Sequence, residues 1–220
     1  MDPPELLSML VRNLAETDDD RPLLTRLCEA CVDTFDAQGG ALTVSAGPGE
    51  QAAVSTPGAF EDLEPLQEVL GEGPVPQAMA EDRLVDVRIG TLVDEYPVFS
   101  RLTESVAGDP TLYAIPMRGD GRVIGAISLY VTAHPQDLSR EGLQLVADAV
   151  GAVLLGNADL LDWSERSPFH LAIGMVVAQL GVSPGDASAM IRARAFARST
   201  SLLSAAQDVL ERRVTFSYEE

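Results

Sequence analysis

The stretch "SPGDASAMIRARAFARS", residues 183–199, contains three arginines within seven consecutive residues. They are Arg192, Arg194 and Arg198, and guanidinium groups gathered in this way suit phosphate recognition. The chain that carries them is strongly acidic, with a formal net charge of −19 over 220 residues and no lysine. Residues 1–161 have a charge balance of −18, whereas residues 162–220 have −1. This asymmetry indicates two segments with different roles, and the C-terminal segment is the candidate for binding an anion.

The cysteines and histidines do not form a recognisable metal or catalytic motif. Cys28 and Cys31 share one face of a predicted helix, but zinc would need two more ligands, and His134 and His170 lie far away in sequence. We expect two buried thiols instead. The segments "GEGPVP" and "GDGRVIG" lack the third glycine of a dinucleotide loop, and a Walker-type loop needs a lysine. The sequence therefore predicts no metal, no cofactor and no enzymatic activity.

Membrane insertion is not expected from the sequence. No apolar run approaches the roughly 20 residues that a bilayer-spanning helix needs. The N-terminal residues "MDPPELLSMLVRNLAE" are acidic and amphipathic, unlike a signal peptide. These observations predict a cytoplasmic protein with no membrane partner.

The elements of the first two thirds of the chain alternate between helices and short strands. Helical spacing in "DRPLLTRLCEACVDTFDAQ" precedes two strand-like runs around a Gly-Pro-Gly turn. A later pair of β-rich runs meets at Asp120-Gly121, the strongest hairpin signal in the chain. The pattern predicts an α+β protein built on an α/β sandwich with a mainly antiparallel sheet.

Four consecutive motifs in this region resemble a GAF domain of the actinobacterial regulator type. They are "LGEGPVPQAMAEDRLVDV", "YPVFSRL", "YAIPMRGDGRVIGAISLY" and "DLSREGLQLVADAVGAVL", in the order of the family over residues 20–155. The resemblance implies a sensory module whose pocket lies between the sheet and its covering loops. It implies no particular small-molecule ligand, and Val75 stands where many relatives carry a cysteine.

A long helix is predicted to begin after Ser139, a plausible N-cap with an acid in the first turn. Apolar residues follow at spacings of three and four, with asparagine at one position of the seam. The seam consists of Leu143, Val146, Val150, Val153, Asn157 and Leu160. It predicts a homodimer paired through this helix, although packing on the chain's own sheet is the alternative.

Three short helices are predicted in about 50 residues of the C-terminal segment. Ser167 and Ser183 are candidate N-caps, each followed by proline, and a third helix is expected from about Leu202 to Arg213. The segment resembles an ANTAR domain, a three-helix RNA-binding antiterminator module. Arg166, "AIGMVVAQLGVS", "DASAMIRARAFA" and "LLSAAQDVLERR" carry this resemblance over residues 164–214. It implies a dimer that binds tandem RNA hairpins in nascent transcripts, which would make the chain a signal-responsive antitermination regulator.

Two positions depart from the ANTAR pattern. Ile173 stands where relatives have lysine or arginine, and Leu171 stands where they often have glutamine. The candidate RNA-contacting residues are Arg166, His170, Arg192, Arg194, Arg198, Arg212 and Arg213.

Helical geometry separates these arginines. Arg194 and Arg198 are neighbours on one face, and their like charges at this spacing favour a role in phosphate contact. Arg192 points elsewhere and could instead pair with Asp208 or Glu211. Arg212 and Arg213 also suit the negative end of the third helix.

The expected organisation is a helical segment over residues 1–19, a GAF-like domain over 20–160 that includes the long helix, and an ANTAR-like bundle over 161–220. Two other functions remain open. One is a ligand-sensing or protein-interaction module with a degenerate tail, and the other is a DNA-binding regulator, since three short helices can form a helix-turn-helix.

Overall fold

The computed structural model describes residues 2–47, 50–104, 106, 108–132, 138–157 and 168–216. Nothing is described for Ser167 or for the side chains of residues 46, 47 and 50–52. The helices are α1 (Pro3–Glu16), α2 (Leu23–Thr34), α3 (Leu63–Leu70), α4 (Pro74–Glu81), α5 (Pro97–Leu102), α6 (Arg140–Gly156), α7 (Pro168–Leu180), α8 (Pro184–Ala197) and α9 (Leu202–Leu210). The strands are β1 (Gly39–Gly47), β2 (Glu50–Ser55), β3 (Val85–Arg88), β4 (Thr111–Gly119) and β5 (Arg122–Val131).

The five described strands form one antiparallel sheet in the order β2-β1-β5-β4-β3. The β4–β5 hairpin turns at Asp120 and Gly121, whose φ angles are 50° and 73°. Positive φ at both central residues suits the right-handed twist of a two-residue hairpin. The predicted α+β fold, antiparallel sheet and Asp120-Gly121 hairpin are confirmed.

One face of the sheet is covered by α1, α2 and α6. Side chains such as Leu42 and Leu129 meet Leu27 and Val146 in an apolar core there. Helix α6 can lie close to β4 because residue 151 is glycine: a Cβ there would stand 2.6 Å from the Arg118 carbonyl oxygen. The expected N-terminal helix, α1, belongs to this layer, since Leu6 and Leu10 are buried in the same core.

Helix α6 uses most of the expected dimer seam within its own chain. The helix begins as predicted, with the Gly142 N–H donating to Ser139 Oγ over 3.3 Å. However, Leu143, Val146 and Val150 are at most 1% exposed because they pack into the core of their own chain. The apolar stripe is thus used by the sheet, and these three side chains are not available to a second copy. Val153 is half-buried against the same core.

The end of α6 also differs from the predicted helix. The helix ends at Gly156, and Asn157 is its C-cap, with its side-chain amide donating to the Val153 carbonyl over 2.8 Å. The asparagine therefore closes the helix rather than occupying a seam position. Leu160, the last residue of the predicted seam, lies outside the described residues.

The opposite face of the sheet is covered by the short helices α3, α4 and α5. Phe60 stacks on Tyr130 of β5 with ring centroids 4.9 Å apart. Helix α3 ends at Gly71, whose φ of 69° is the left-handed conformation typical of a glycine that closes a helix. Helix α3 contacts the sheet through Glu64, and its Val69 packs against the C-terminal helices.

The C-terminal helices α7, α8 and α9 pack into a three-helix bundle. Their core contains Ala172, Val176, Ile191, Ala206 and Val209, all fully buried. The buried alanines Ala172 and Ala206 place only a methyl group in this core, which leaves room for the helices to approach closely. Among the described residues, Val69 of α3 is the side chain from the first part of the chain that is buried in the bundle core.

The bundle's helix ends follow local signals. Ser183 caps α8 by accepting from the Asp186 N–H over 3.1 Å. The last helix ends at Leu210, three residues earlier than expected, since Arg212 has a φ of 55° and the chain turns back there. The expected N-cap of α7, Ser167, lies outside the described residues.

Candidate functional site

A buried carboxyl group, Glu64 of α3, faces the sheet and is held by hydroxyl groups. Thr43 Oγ1 of β1 donates to it over 2.5 Å, and Ser128 Oγ of β5 donates to its other oxygen over 3.0 Å. Gln67, one turn further along α3, donates a longer bond of 3.3 Å to the same oxygen and accepts from the Val75 N–H over 2.9 Å. These residues form a polar cluster between α3, the start of α4 and the sheet, which we call the Glu64 cluster.

The sequence places these side chains by strand and helix periodicity. The β1–β5 pairing sets Ala41 opposite Ser128 and Thr43 opposite Ala126, so that Thr43 and Ser128 project from the same face of the sheet. Glu64 and Gln67 are three residues apart and therefore share one face of α3. The Glu64 cluster is thus assembled from three elements that are distant in sequence.

Burial raises the pKa of the Glu64 carboxyl, and the hydrogen bonds from Thr43 and Ser128 offset part of that effect by favouring its charged form. On the same sheet face, the Tyr130 hydroxyl is buried and has no hydrogen-bond partner among the residues that the structure describes. An unpaired buried hydroxyl costs about 1–3 kcal/mol. This face of the sheet therefore retains polar hydrogen-bonding capacity that the described part of the chain does not use.

A small cavity borders the Glu64 cluster. It is lined by Thr43, Ala53, Glu64, Gln67, Glu68, Val75, Pro76 and Met79. Its volume is about 20 Å³, which is room for about one water molecule. A larger ligand would need α3 and α4 to move away from the sheet.

The raised pKa of Glu64 predicts a pH dependence of stability. The unfolded carboxyl ionises at its ordinary pKa, whereas the folded one keeps its proton to higher pH, so unfolding becomes more favourable as pH rises between the two values. Glu64→Gln removes this titration. We expect the free energy of unfolding to fall less between pH 4 and pH 8 in Glu64→Gln than in the wild-type chain, as measured by urea denaturation at each pH.

The matched control is Glu104→Gln. Glu104 is exposed, and its substitution removes the same formal charge without changing the Glu64 cluster. It should follow the pH profile of the wild-type chain. A Glu64→Gln profile as steep as that of the wild-type chain would show that Glu64 ionises as an ordinary carboxyl.

Arg194 and Arg198 lie at the C-terminal end of α8. Arg198 is exposed and is the C-cap residue, while Arg194 is half-buried in the last turn. Neither side chain has a hydrogen-bond or ion-pair partner within the described part of the chain. We call these two unpaired arginines at the C-terminus of α8 the basic end of the bundle.

Arg192 is placed differently from its two neighbours. Its guanidinium group donates to the Glu68 carbonyl oxygen at the end of α3 and lies over the Phe169 ring, 5.4 Å from the centroid. Burial lowers its pKa, and the nearby Glu68 carboxylate opposes that effect. Neither Asp208 nor Glu211, the partners considered from sequence, is its observed contact. Arg192 joins the bundle to the first part of the chain.

The other predicted RNA-contacting residues are divided between the ends of α7. Arg213 is held by Asp208, over 2.7 Å, and by Glu211 at the end of α9. Arg212 is exposed beside it. The residues that follow α9 adjoin the C-terminus of α7, because the Phe216 N–H donates to Gln179. The six predicted residues that the structure describes therefore do not form one surface.

Two more of the predicted residues belong to the start of α7. His170 is half-buried in the first turn, near Phe169, over which Arg192 lies. Arg166 lies outside the described residues.

The predicted buried thiols are confirmed. Cys28 and Cys31 are both free and buried between α2 and the sheet. Burial raises the pKa of Cys28 to about 12 and also raises that of Cys31, so both remain protonated at neutral pH. Within the described residues, no three side chains of His, Cys, Asp or Glu are grouped to hold a metal ion. The same part of the chain has no helix long and apolar enough to cross a membrane.

The Glu64 cluster was not predicted from the sequence. The available signal was the pair Glu64 and Gln67, two polar residues on the apolar face of a short helix. Their partners Thr43 and Ser128 lie 21 and 64 residues away from Glu64, so only the folded sheet identifies them.

The structure thus has a five-stranded sheet with helices on both faces and a small polar cavity under α3 and α4. A sequence profile of the GAF domain matches residues 18–155, more than half of the chain, so the chain belongs to the GAF domain family. GAF domains are ligand- or signal-sensing modules, which confirms the coarser part of the predicted function. The match stops before the C-terminal bundle.

Solved structures with similarity to this chain include GAF domains from several bacteria. The GAF domain of nlh2 from A. aeolicus in an inactive state is 11% identical with a TM-score of 0.46, and the alignment covers 73% of this chain and 97% of that one. The GAF domain of a phosphoenolpyruvate-protein phosphotransferase from Coxiella burnetii is 13% identical with a TM-score of 0.49, covering 72% and 96%. Free methionine-R-sulfoxide reductase from Neisseria meningitidis is 16% identical with a TM-score of 0.44, covering 72% and 89%. No curated protein sequence matches the chain.

Proposed function

We propose that this chain is a signal-responsive, RNA-binding regulator of transcription antitermination. Its GAF domain would sense a small ligand or a partner, and its C-terminal bundle would bind paired RNA hairpins as a dimer. The observation that carries the proposal is the basic end of the bundle, where Arg194 and Arg198 have no acidic partner among the described residues. The resemblance of residues 164–214 to an ANTAR domain gives the ligand class.

Charge distribution supports this assignment. Six of the eight arginines of residues 18–155 form a described ion pair, each with an acid of the same part, as Arg118 does with Asp82 over 2.7 Å. The basic end differs, because two like charges one helical turn apart repel each other unless an anion lies between them. RNA phosphates supply such anions, and each phosphate contact adds a salt-dependent gain in affinity.

The homodimer is part of the proposal but does not use the predicted seam, whose central residues are buried within the chain. Dimerisation can be tested by light scattering of the purified chain with and without RNA. A monomer under both conditions would remove the dimer from the proposed function.

Gel-shift experiments with three probes test the proposed function. We expect the full chain to shift a tandem-hairpin RNA at lower protein concentration than a single hairpin, and to shift duplex DNA least. Preferential binding to duplex DNA would favour the DNA-binding regulator instead. The proposal includes no catalytic step.

A second candidate is a sensing or protein-interaction module whose tail does not bind RNA. The observation in its favour is the surface of α7, where Leu171 is 41% exposed and Gly174 has open space above it. Ile173 is half-buried against the bundle core and adds no charge. Failure to bind any of the three probes, with and without candidate ligands, would favour this alternative.

A further inference from the structure

The bundle is docked on the GAF domain through the end of α3. Val69 of α3 is 7% exposed and packs into the core of the bundle. The carbonyl oxygen of the preceding residue, Glu68, accepts the Arg192 guanidinium of α8. We call these groups the α3–α8 contact.

Several features make this contact specific rather than incidental. The last carbonyls of a helix have no partner within the helix and carry its negative partial charge, so they favour a cation. Arg192 supplies that cation, and its guanidinium lies against the backbone at Gly71, where a Cβ would stand 3.3 Å from Nη1. The Phe169 ring covers the same guanidinium group. Arg192 is thus held between three elements, α3, α7 and α8.

Helix α3 also carries the Glu64 cluster. Glu64 and Gln67 point toward the sheet, while Glu68 and Val69 serve the cavity wall and the bundle. A helix of eight residues moves as a unit, so a displacement at Glu64 shifts the carbonyl that holds Arg192. The sensing face and the bundle are connected through one short rigid element.

We propose that the α3–α8 contact is autoinhibitory: docking on α3 withholds Arg192, and the adjoining face of α8, from phosphate. With its guanidinium held by the Glu68 carbonyl and the Phe169 ring, Arg192 is not free to contact phosphate, so the docked bundle presents RNA with a reduced basic surface. Undocking restores it. The inhibitory part of this proposal rests on the proposed function, whereas the docking part does not.

The test uses two variants of the full chain that break the contact from opposite sides. Val69→Glu places a charge in the α3–α8 contact without changing any residue of α7, α8 or α9, and hydrogen–deuterium exchange is read on α8. Arg192→Met keeps apolar volume against Phe169 but removes the donor, and exchange is read on α3. Matched controls are Pro65→Glu, an exposed position of α3, and Arg212→Met, an exposed arginine of the bundle.

We expect exchange in α8 to accelerate several-fold in Val69→Glu, and exchange in α3 to accelerate in Arg192→Met, with both controls unchanged. Affinity of Val69→Glu for tandem-hairpin RNA should rise by about tenfold if the undocked bundle is about a tenth of the wild-type population. Unchanged exchange in Arg192→Met would overturn the docking. Faster exchange without a gain in RNA affinity would overturn autoinhibition.

The outcome for RNA separates this proposal from the proposed function. If no variant binds RNA, including the undocked Val69→Glu, the proposed function fails and autoinhibition fails with it. The α3–α8 contact is then still decided by the exchange measurements. Circular dichroism of each variant confirms that the GAF domain remains folded before exchange is compared.

Discussion

Replacing Arg194 and Arg198 together by glutamine is expected to weaken binding of the full chain to tandem-hairpin RNA by roughly 20-fold at 0.15 M salt, because each phosphate contact releases close to one counterion. The slope of log affinity against log salt concentration should fall by about one for each contact removed. Both quantities come from one filter-binding titration repeated at several salt concentrations. The fold should be unaffected, since neither side chain is buried in the core of the bundle.

The matched control for this pair is Arg101→Gln with Arg122→Gln. Both arginines are exposed on the GAF part, so the double variant has the same net charge as the other pair. We expect it to bind RNA much as the wild-type chain does. Equal losses in the two double variants would mean that only net charge matters, and would remove Arg194 and Arg198 as the contact site.

The second large effect is expected at Gly125 of β5. A Cβ there would stand 2.1 Å from the Thr43 carbonyl oxygen and 3.0 Å from Val44 Cα, and neither backbone atom can move without disturbing β1. Gly125→Ala should therefore lower the free energy of unfolding by about 3 kcal/mol. For a chain of this size that corresponds to a loss of roughly 6–12 °C in the thermal midpoint.

Gly156→Ala is the control for this substitution. Gly156 is the last residue of α6, and a Cβ there meets nothing within 4 Å among the residues that the structure describes. Because alanine is the better helix former, the variant should be as stable as the wild-type chain or slightly more so. If Gly125→Ala unfolded at the wild-type temperature, the close approach of β5 and β1 would be wrong.

Features that depend on neighbouring residues could be predicted from the sequence. Ser139 and Ser183 cap helices because each side chain bonds an N–H three residues later. The Asp120-Gly121 hairpin depends on two residues that tolerate positive φ. Such local signals fixed the α+β class, the antiparallel sheet and the three C-terminal helices.

The function of an apolar stripe could not be predicted in the same way. Leu143, Val146 and Val150 have the spacing of a coiled-coil seam, but the same spacing serves any helix that buries one face. The choice depends on Gly151, which lets α6 approach β4 closely enough to bury the stripe. Periodicity identifies a buried face and does not identify what covers it.

Long-range polar contacts also could not be predicted from the sequence. Arg192 contacts Glu68, which is 124 residues away, and nothing in the local pattern of α8 indicates that partner. Local geometry did separate Arg192 from Arg194 around the helix, but it did not identify Glu68 as the partner of Arg192. The Glu64 cluster has the same origin, since its hydroxyl donors come from two strands.

Ultraviolet crosslinking of the full chain to tandem-hairpin RNA, followed by mass spectrometry of the crosslinked peptides, tests the central claim most directly. We expect crosslinks in peptides from the C-terminal half of α8, which contains Arg194 and Phe196 and is followed by Arg198, and from the start of α7, which contains Phe169 and His170. Arg194→Gln with Arg198→Gln should abolish most of them. Crosslinks confined to residues 18–155, or the absence of any crosslink at concentrations that saturate a gel shift, would contradict RNA binding by the bundle.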